Sequence, residues 1–139
     1  MAIFLNNKVG FKLNTVDLSD HVTAFTLNRQ SDQLEVTAMG DTAHKFVTGL
    51  SADTITVSFL NDTAAASVLA TLQAAYGTTV AFSAIQDKVP AVSATNKLYT
   101  GTLLVDNLTD IAGAVADEAM IDITFTCNST TALATTGTF

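Results

Sequence analysis

Residues 119–128 read AMIDITFTCN. Ala119, Ile121, Ile123, Phe125 and Cys127 fall on one side of an extended chain. Met120, Asp122, Thr124, Thr126 and Asn128 fall on the other, because successive side chains of a strand point to opposite faces. Such a run is a strand with one buried and one wet face, and it makes the protein a β protein. The same period of two recurs upstream in residues 53–61, where Ile55, Val57 and Phe59 oppose Thr54, Thr56 and Ser58. HVTAFTLNRQ (21–30) puts Phe25 and Leu27 on one face, and TTVAFSAI (78–85) offers Val80 and Phe82. KLYTGTLLVDNL (97–108) is a longer strand in which Gly101 is expected to mark a bulge. The many threonines fit, since β-branched side chains suit a pleated surface.

One segment breaks the pattern. In NDTAAASVLATLQAAYG (61–77), Ala65, Val68, Leu69, Leu72 and Tyr76 follow helix spacing. Asp62 or Thr63 is placed to cap its start and Gly77 to end it, which predicts one helix over about 62–76 packed on the sheet. QDKVPAVSATNK (86–97), with the only proline, reads as a loop, and ATTGTF (134–139) carries no period. With no repeat, linker or composition break, the 139 residues are expected to form one domain able to bury a sizeable core.

Composition narrows the function. Hydrophobic residues make up 48% of the chain and charged residues only 14%, against about 25% in ordinary domains. A monomer so poor in charge invites association, so much of its surface is expected to meet protein. The net charge is -7, and no Lys or Arg follows Lys97, whereas Asp106, Asp110, Asp117, Glu118 and Asp122 all do. Such a surface does not grip nucleic acid, because tight binding needs cations that displace counterions from phosphates. The lone Cys127 cannot form an intramolecular disulfide, and the N-terminal MAIFLNNKVGFKLN lacks the apolar run of a secretory signal. No run is long enough for a helical membrane span, so a soluble protein made in the cytoplasm is expected, and the N-x-[ST] matches at Asn61, Asn107 and Asn128 are put down to threonine richness.

Catalytic and metal-binding patterns are sparse. His21 and His44 lie 23 residues apart without a Cys or His nearby, so no zinc set is expected. Neither a P-loop nor a nucleophile elbow, a dinucleotide fingerprint or a zincin motif occurs. VDLSDHV (16–22) gathers Asp17, Ser19, Asp20 and His21, but it reads as a turn whose Asp and Ser side chains satisfy local backbone groups. It also lacks the glycine, the further acid and the terminal Glu of an EF-hand loop. GDTAHKFVTG (40–49) resembles a phosphate-binding turn only superficially, because no helix follows it to receive an anion. It reads instead as a long hairpin arm over Ala38–Ala52, joining a strand around Leu34–Ala38 to the strand at 53–61. Gly40 and Gly49 would give it freedom, Phe46 and Val47 would be exposed in a monomer, and Asp41, His44 and Lys45 would be contact residues. No enzyme activity, cofactor or metal is expected.

The succession VDLSDHVTAFTLNRQSDQLEVTAMGDTAHKFVTGLSADTITVSFLND (16–62), followed by VLATLQAAYG (68–77), resembles the major tail tube protein of long-tailed, non-contractile bacteriophages. The resemblance covers residues 16–86; the later strands agree in type more than in motif. It implies a β-sandwich or small barrel flanked by one helix. It also implies hexameric rings stacked into a hollow tube through which DNA leaves the virion, with the inner sheets of neighbouring copies joined into one barrel. The partners implied are further copies of the chain and the tape-measure, tail terminator and baseplate or tip proteins. DNA would pass without specific binding, no membrane is involved, and assembly would take place in the host cytoplasm. The arm would reach the next ring or the neighbouring copy, with Lys45 meeting an acidic rim.

A lumen that lets DNA slide should present small polar and acidic groups. Two strand faces qualify, Asp122 with Thr124 and Thr126, and Thr54 with Thr56 and Ser58, and the sequence does not choose between them. Two other readings remain. One is the inner tube of a contractile tail or bacterial injection system. The other is a β-sandwich surface or carbohydrate-binding module, which the absence of Trp and the presence of only Tyr76 and Tyr99 disfavour, since such modules use aromatic platforms.

Overall fold

The computed structural model describes residues 8–139. Ten strands and one helix follow in the order β1 (Gly10–Leu13), β2 (Val16–Asp17), β3 (Val22–Asn28), β4 (Ser31–Glu35), β5 (Phe46–Ser51), β6 (Thr54–Leu60), α1 (Val68–Ala75), β7 (Thr79–Ile85), β8 (Leu98–Leu104), β9 (Met120–Cys127) and β10 (Ala132–Ala134). Eight strands form one antiparallel sheet in the order β2-β1-β7-β8-β9-β6-β3, with β10 also paired to β8. β4 and β5 form a separate two-stranded hairpin.

The large sheet folds over on itself. β1 and β3 stand near opposite ends of the strand order, yet the ring of Phe11 lies 5.2 Å from that of Phe25 and 6.2 Å from that of Phe59. Ile55, Val57 and Phe59 of β6 and Ile121, Ile123 and Phe125 of β9 are all buried, as their alternation requires. They share one cluster with Phe11, Leu13, Phe82, Leu103 and, from the helix, Val68, Leu72 and Ala75. Each large apolar side chain buried in this way contributes about 1.5–3 kcal/mol. The expected mainly β fold with a flanking helix is therefore what forms.

Three details differ from expectation. The helix has two turns, Val68–Ala75, rather than spanning 62–76. Asp62 accepts the Ala64 N–H through its carboxylate (2.9 Å), and Ala66 takes a left-handed φ of 61°, so the chain turns before it can wind. Ser67 stands at the N-cap without a side-chain cap bond, while Gly77 (φ 78°) ends the helix as predicted and donates its N–H to Val105 (2.7 Å). Gly101 marks no bulge, since β7 and β8 pair in unbroken register through Phe82↔Gly101. It marks a close approach instead: a Cβ there would stand 3.0 Å from the Phe82 ring and 3.1 Å from Ser129 Oγ.

The C-terminal segment, which carries no sequence period, supplies the start of order at its end. β10 pairs with β8 through Ala132↔Thr100 to Ala134↔Leu98, and the Phe139 ring lies so close over Gly10 that a Cβ there would come within 2.6 Å of it. Residues 86–97 form the predicted loop, pinned by buried Asn96, whose Nδ2 donates to the Asp87 carbonyl (2.8 Å).

Candidate functional site: a polar sheet face and a projecting arm

The two candidate lumen faces prove to be one surface. β6 pairs with β9 so that Thr54, Thr56 and Ser58 stand directly opposite Thr126, Thr124 and Asp122, and β3 adds Asn28, Thr26 and Ala24 in the same rows. Side chains of directly paired residues point to the same face of a sheet. All nine therefore lie on the side opposite the buried Ile55, Val57, Phe59, Ile121, Ile123 and Phe125. Thr56 Oγ1 and Thr124 Oγ1 are 3.3 Å apart, a hydroxyl pair across the strands. Asp122 is the single charged group among the nine. The period of each strand placed its own face, but only the long-range register shows that the faces coincide. β3 ends the sheet, with a hydrogen-bonded strand on one side only among the described residues.

The arm is a hairpin in its own right and not, as expected, a loop joining a strand at 34–38 to the strand at 53–61, because β6 pairs with β3 and β9 and leaves β4 to the chain's own β5. β4 pairs with β5 through Leu34↔Val47 and Glu35↔Phe46, and residues 36–45 form its tip. Every residue of both strands is exposed, including Leu34, Phe46, Val47 and Leu50, and Met39 at the tip is wholly exposed. An isolated two-stranded hairpin is at best marginally stable in water, so an arm with apolar groups on both faces lacks a cover.

Its tip is nevertheless held in shape. Gly40 adopts φ 95°, a conformation that favours glycine, and Asp41 Oδ2 accepts the Ala38 N–H (2.8 Å). Lys45 Nζ lies 2.7 Å from Asp41 Oδ1, and that ammonium, followed by the Ala38 N–H, holds the Asp41 carboxyl below its ordinary pKa. Thr37 Oγ1 accepts the Lys45 N–H (2.9 Å) and donates to Glu35 Oε1 (3.0 Å), and His44 Nδ1 stands 2.6 Å from the same oxygen. Lys45 and His44 thus already have acidic partners within the arm. Gly49 does not act as a free hinge. It sits within β5, where a Cβ would come within 3.1 Å of Asp32 Cβ and 3.3 Å of Leu34 Cγ.

The residue that fixes the arm to the sheet escaped the sequence reading. Asp53 is buried at the corner between β5 and β6. Its Oδ1 accepts the Gln30 N–H (3.1 Å) at the arm's entry, and its Oδ2 accepts the Thr131 N–H (2.9 Å) ahead of β10. Burial by itself would raise the Asp53 pKa, but the Thr131 and Gln30 N–H groups and the charge of Arg29 outweigh it and hold the carboxyl below its ordinary value. The only hint in the sequence was an acid at the threshold of an otherwise apolar and hydroxylated strand.

The turn at 17–21 behaves as a turn. Asp17 Oδ1 accepts the Ser19 N–H (2.9 Å) and hydroxyl, Ser19 Oγ accepts the Phe11 N–H (2.9 Å), and His21 Nε2 lies 3.0 Å from Asp62 Oδ2. These bonds tie the turn to β1 and to the segment ahead of the helix. Among the described residues no group of three or more His, Cys, Asp or Glu side chains converges as a metal site would require, and no helix is long and apolar enough to cross a membrane.

The helix-backed antiparallel sheet is a fold that also occurs in chains of gene transfer agent particles. A chain from the virion of a native gene transfer agent particle has the same fold, with a TM-score of 0.71 at 12% identity over 95% of this chain and 99% of that one. A chain from the tail of an empty gene transfer agent particle, determined with C6 symmetry, matches with a TM-score of 0.59 at 15% identity over 84% and 83% of the two chains. The sequence matches no family model and no curated protein.

Proposed function

We propose that this chain is a virion structural protein that assembles into hexameric rings, stacked as a hollow tail tube for DNA delivery. The observation that carries the reading is the merged face of β3, β6 and β9, where six hydroxyls, one amide and one carboxylate stand with Ala24 and, at one end, Leu60 and Met120, without a single cation. Such a surface suits a lumen, because phosphates find nothing on it to displace their counterions. The six-fold symmetry of the tail that contains a similar fold supports the ring, and the open edge of β3 suits pairing with the next copy. Six copies would turn Asp122, Thr124, Thr126, Thr54, Thr56 and Ser58 inward. The arm, with Gly40, Asp41, His44, Lys45, Phe46, Val47 and Gly49, would make the contact between copies. Assembly would take place in the host cytoplasm, with tape-measure, terminator and tip proteins as the other partners, and the lining would perform no catalysis.

Negative-stain micrographs of the purified chain over a range of concentrations test this. Hollow tubes as wide as a phage tail, or six-fold rings, are the expected outcome. Dispersed monomers at every concentration would count against the reading.

A further inference from the structure

The turn at the tip of the arm is closed by hydrogen bonds that leave one large side chain outside them. The Asp41 N–H donates to the Ala38 carbonyl (3.1 Å), Asp41 Oδ2 accepts the Ala38 N–H (2.8 Å), and Gly40 at φ 95° takes the second central place of the turn. Met39 holds the first. The polar groups around it are engaged with one another, Lys45 Nζ with Asp41 Oδ1, and Thr37 Oγ1 with Glu35 Oε1 and the Lys45 N–H. Met39 is 106% exposed, more than any other large apolar side chain among the described residues. The other methionine among them, Met120, is half-buried in β9 and paired with Leu60. A thioether carries no charge and accepts hydrogen bonds only weakly, and its ordinary covalent change in water is oxidation at sulfur.

We propose that Met39 is a modification site, oxidised by peroxide to the sulfoxide, and that this change switches off the contact made by the arm. The proposal rests on the tail-tube reading above and adds a means of regulating it. In the step, a lone pair of Met39 Sδ attacks one oxygen of hydrogen peroxide as the O–O bond breaks. The sulfur gives up two electrons and keeps that oxygen, while the other oxygen leaves as water with both hydrogens. A small oxidant reaches the Met39 sulfur directly because nothing covers it, whereas Met120 is partly shielded by the sheet. The product sets a strong acceptor oxygen where the tip had an apolar end. In the free chain that oxygen is hydrated and the fold is unaffected, since so exposed a side chain supports no buried contact. Against the apolar surface of a partner it has to be desolvated without a donor, which weakens the contact. The modification therefore acts on association and spares folding.

Peroxide treatment of the full chain, followed by peptide mass spectrometry and a tube assay, tests this. The peptide containing residue 39 should gain one oxygen at least about tenfold faster than the peptide containing residue 120. Calorimetric unfolding of the oxidised chain should match that of the untreated chain, while the tube yield falls at least about tenfold. Met39→Leu, compared treated against untreated, should keep its yield. Met39→Gln, whose side chain ends in a polar group of similar reach, should show the low yield without oxidant. Oxidation at residue 120 as fast as at residue 39 overturns the site. An oxidised chain that polymerises like the untreated one, or a Met39→Leu variant that loses yield on treatment as the wild type does, overturns the switch and leaves the tube reading standing. An untreated chain that forms neither rings nor tubes at any concentration overturns the tube reading and the switch together, and the peptide masses still decide the site.

Discussion

The β3–β6–β9 sheet and the β4–β5 arm are made of the same kinds of residue, and both are antiparallel. In the sheet, Ile55, Val57, Phe59, Ile121, Ile123 and Phe125 are confined to one face and buried against the helix and the folded-over strands. In the arm, Leu34 pairs with Val47 and Phe46 with Glu35, so apolar groups fall on both faces and all of them meet solvent. What separates the two is whether the chain supplies the covering layer. For the sheet it does; for the arm, among the described residues, it does not.

The comparison breaks most readily at a pair of phenylalanines. Phe125→Ala removes a fully buried ring and should cost about 3–5 kcal/mol of folding free energy. Phe46→Ala should change denaturant unfolding of the isolated chain by less than about 0.5 kcal/mol while sharply reducing tube formation. A cost for Phe46→Ala near that of Phe125→Ala would make the arm part of the core.

Next in size is the joint between the two regions. Asp53→Ala strands the half-buried N–H of Gln30 and the buried N–H of Thr131, and the expected loss is about 1–3 kcal/mol. The carboxylate also predicts a pH dependence. Its folded-state pKa lies below the ordinary 3.8, so it binds its proton less readily folded than unfolded. Its stabilisation is therefore fully present above that value and is lost as pH falls through the lowered one. Acid unfolding curves of the wild type should show this loss, and Asp53→Asn should flatten it.

These residues also mark how far the sequence can be read. β6 and β9 announced themselves because one covered face enforces a strict period of two. β5, FVTGLS, gave no such signal, since an arm with two wet faces imposes no alternation, and β10 is too short to show one. Gly77 was legible because ending a helix is a local matter. The early turn at Asp62 and Ala66 was not, because the alanine stretch before Ser67 favours a helix until tertiary contacts override it. Asp53 and the merging of the two polar faces depend on partners far along the chain, Thr131 in one case and a complete strand register in the other, and no local pattern encodes them.

A smaller effect on folding is expected at the arm's tip. Replacing residues 36–45 by Asn-Gly joins the paired Glu35 and Phe46 through a two-residue hairpin turn. Calorimetric unfolding should stay within about 0.5 kcal/mol of the wild type, because no buried contact is removed. Light scattering should show that polymerisation is lost; tubes of normal length would remove the arm from the contact between copies.

The smallest change tests the sheet's polar face. Asp122 is exposed on β9 opposite Ser58 and forms no ion pair among the described residues, so Asp122→Lys should move stability by no more than about 0.5 kcal/mol and leave tubes intact. Its consequence would be electrostatic. A lumen that now carries one cation per copy would take up phosphate contacts, each steepening the dependence of log K on log salt by roughly 0.9. DNA ejection should therefore slow at low ionic strength and recover as salt is raised, whereas Asp122→Ser, which removes charge without reversing it, should eject normally. Ejection by Asp122→Lys at the wild-type rate in low salt would mean that DNA never meets this face, and the lumen would have to be sought on another surface of the sheet.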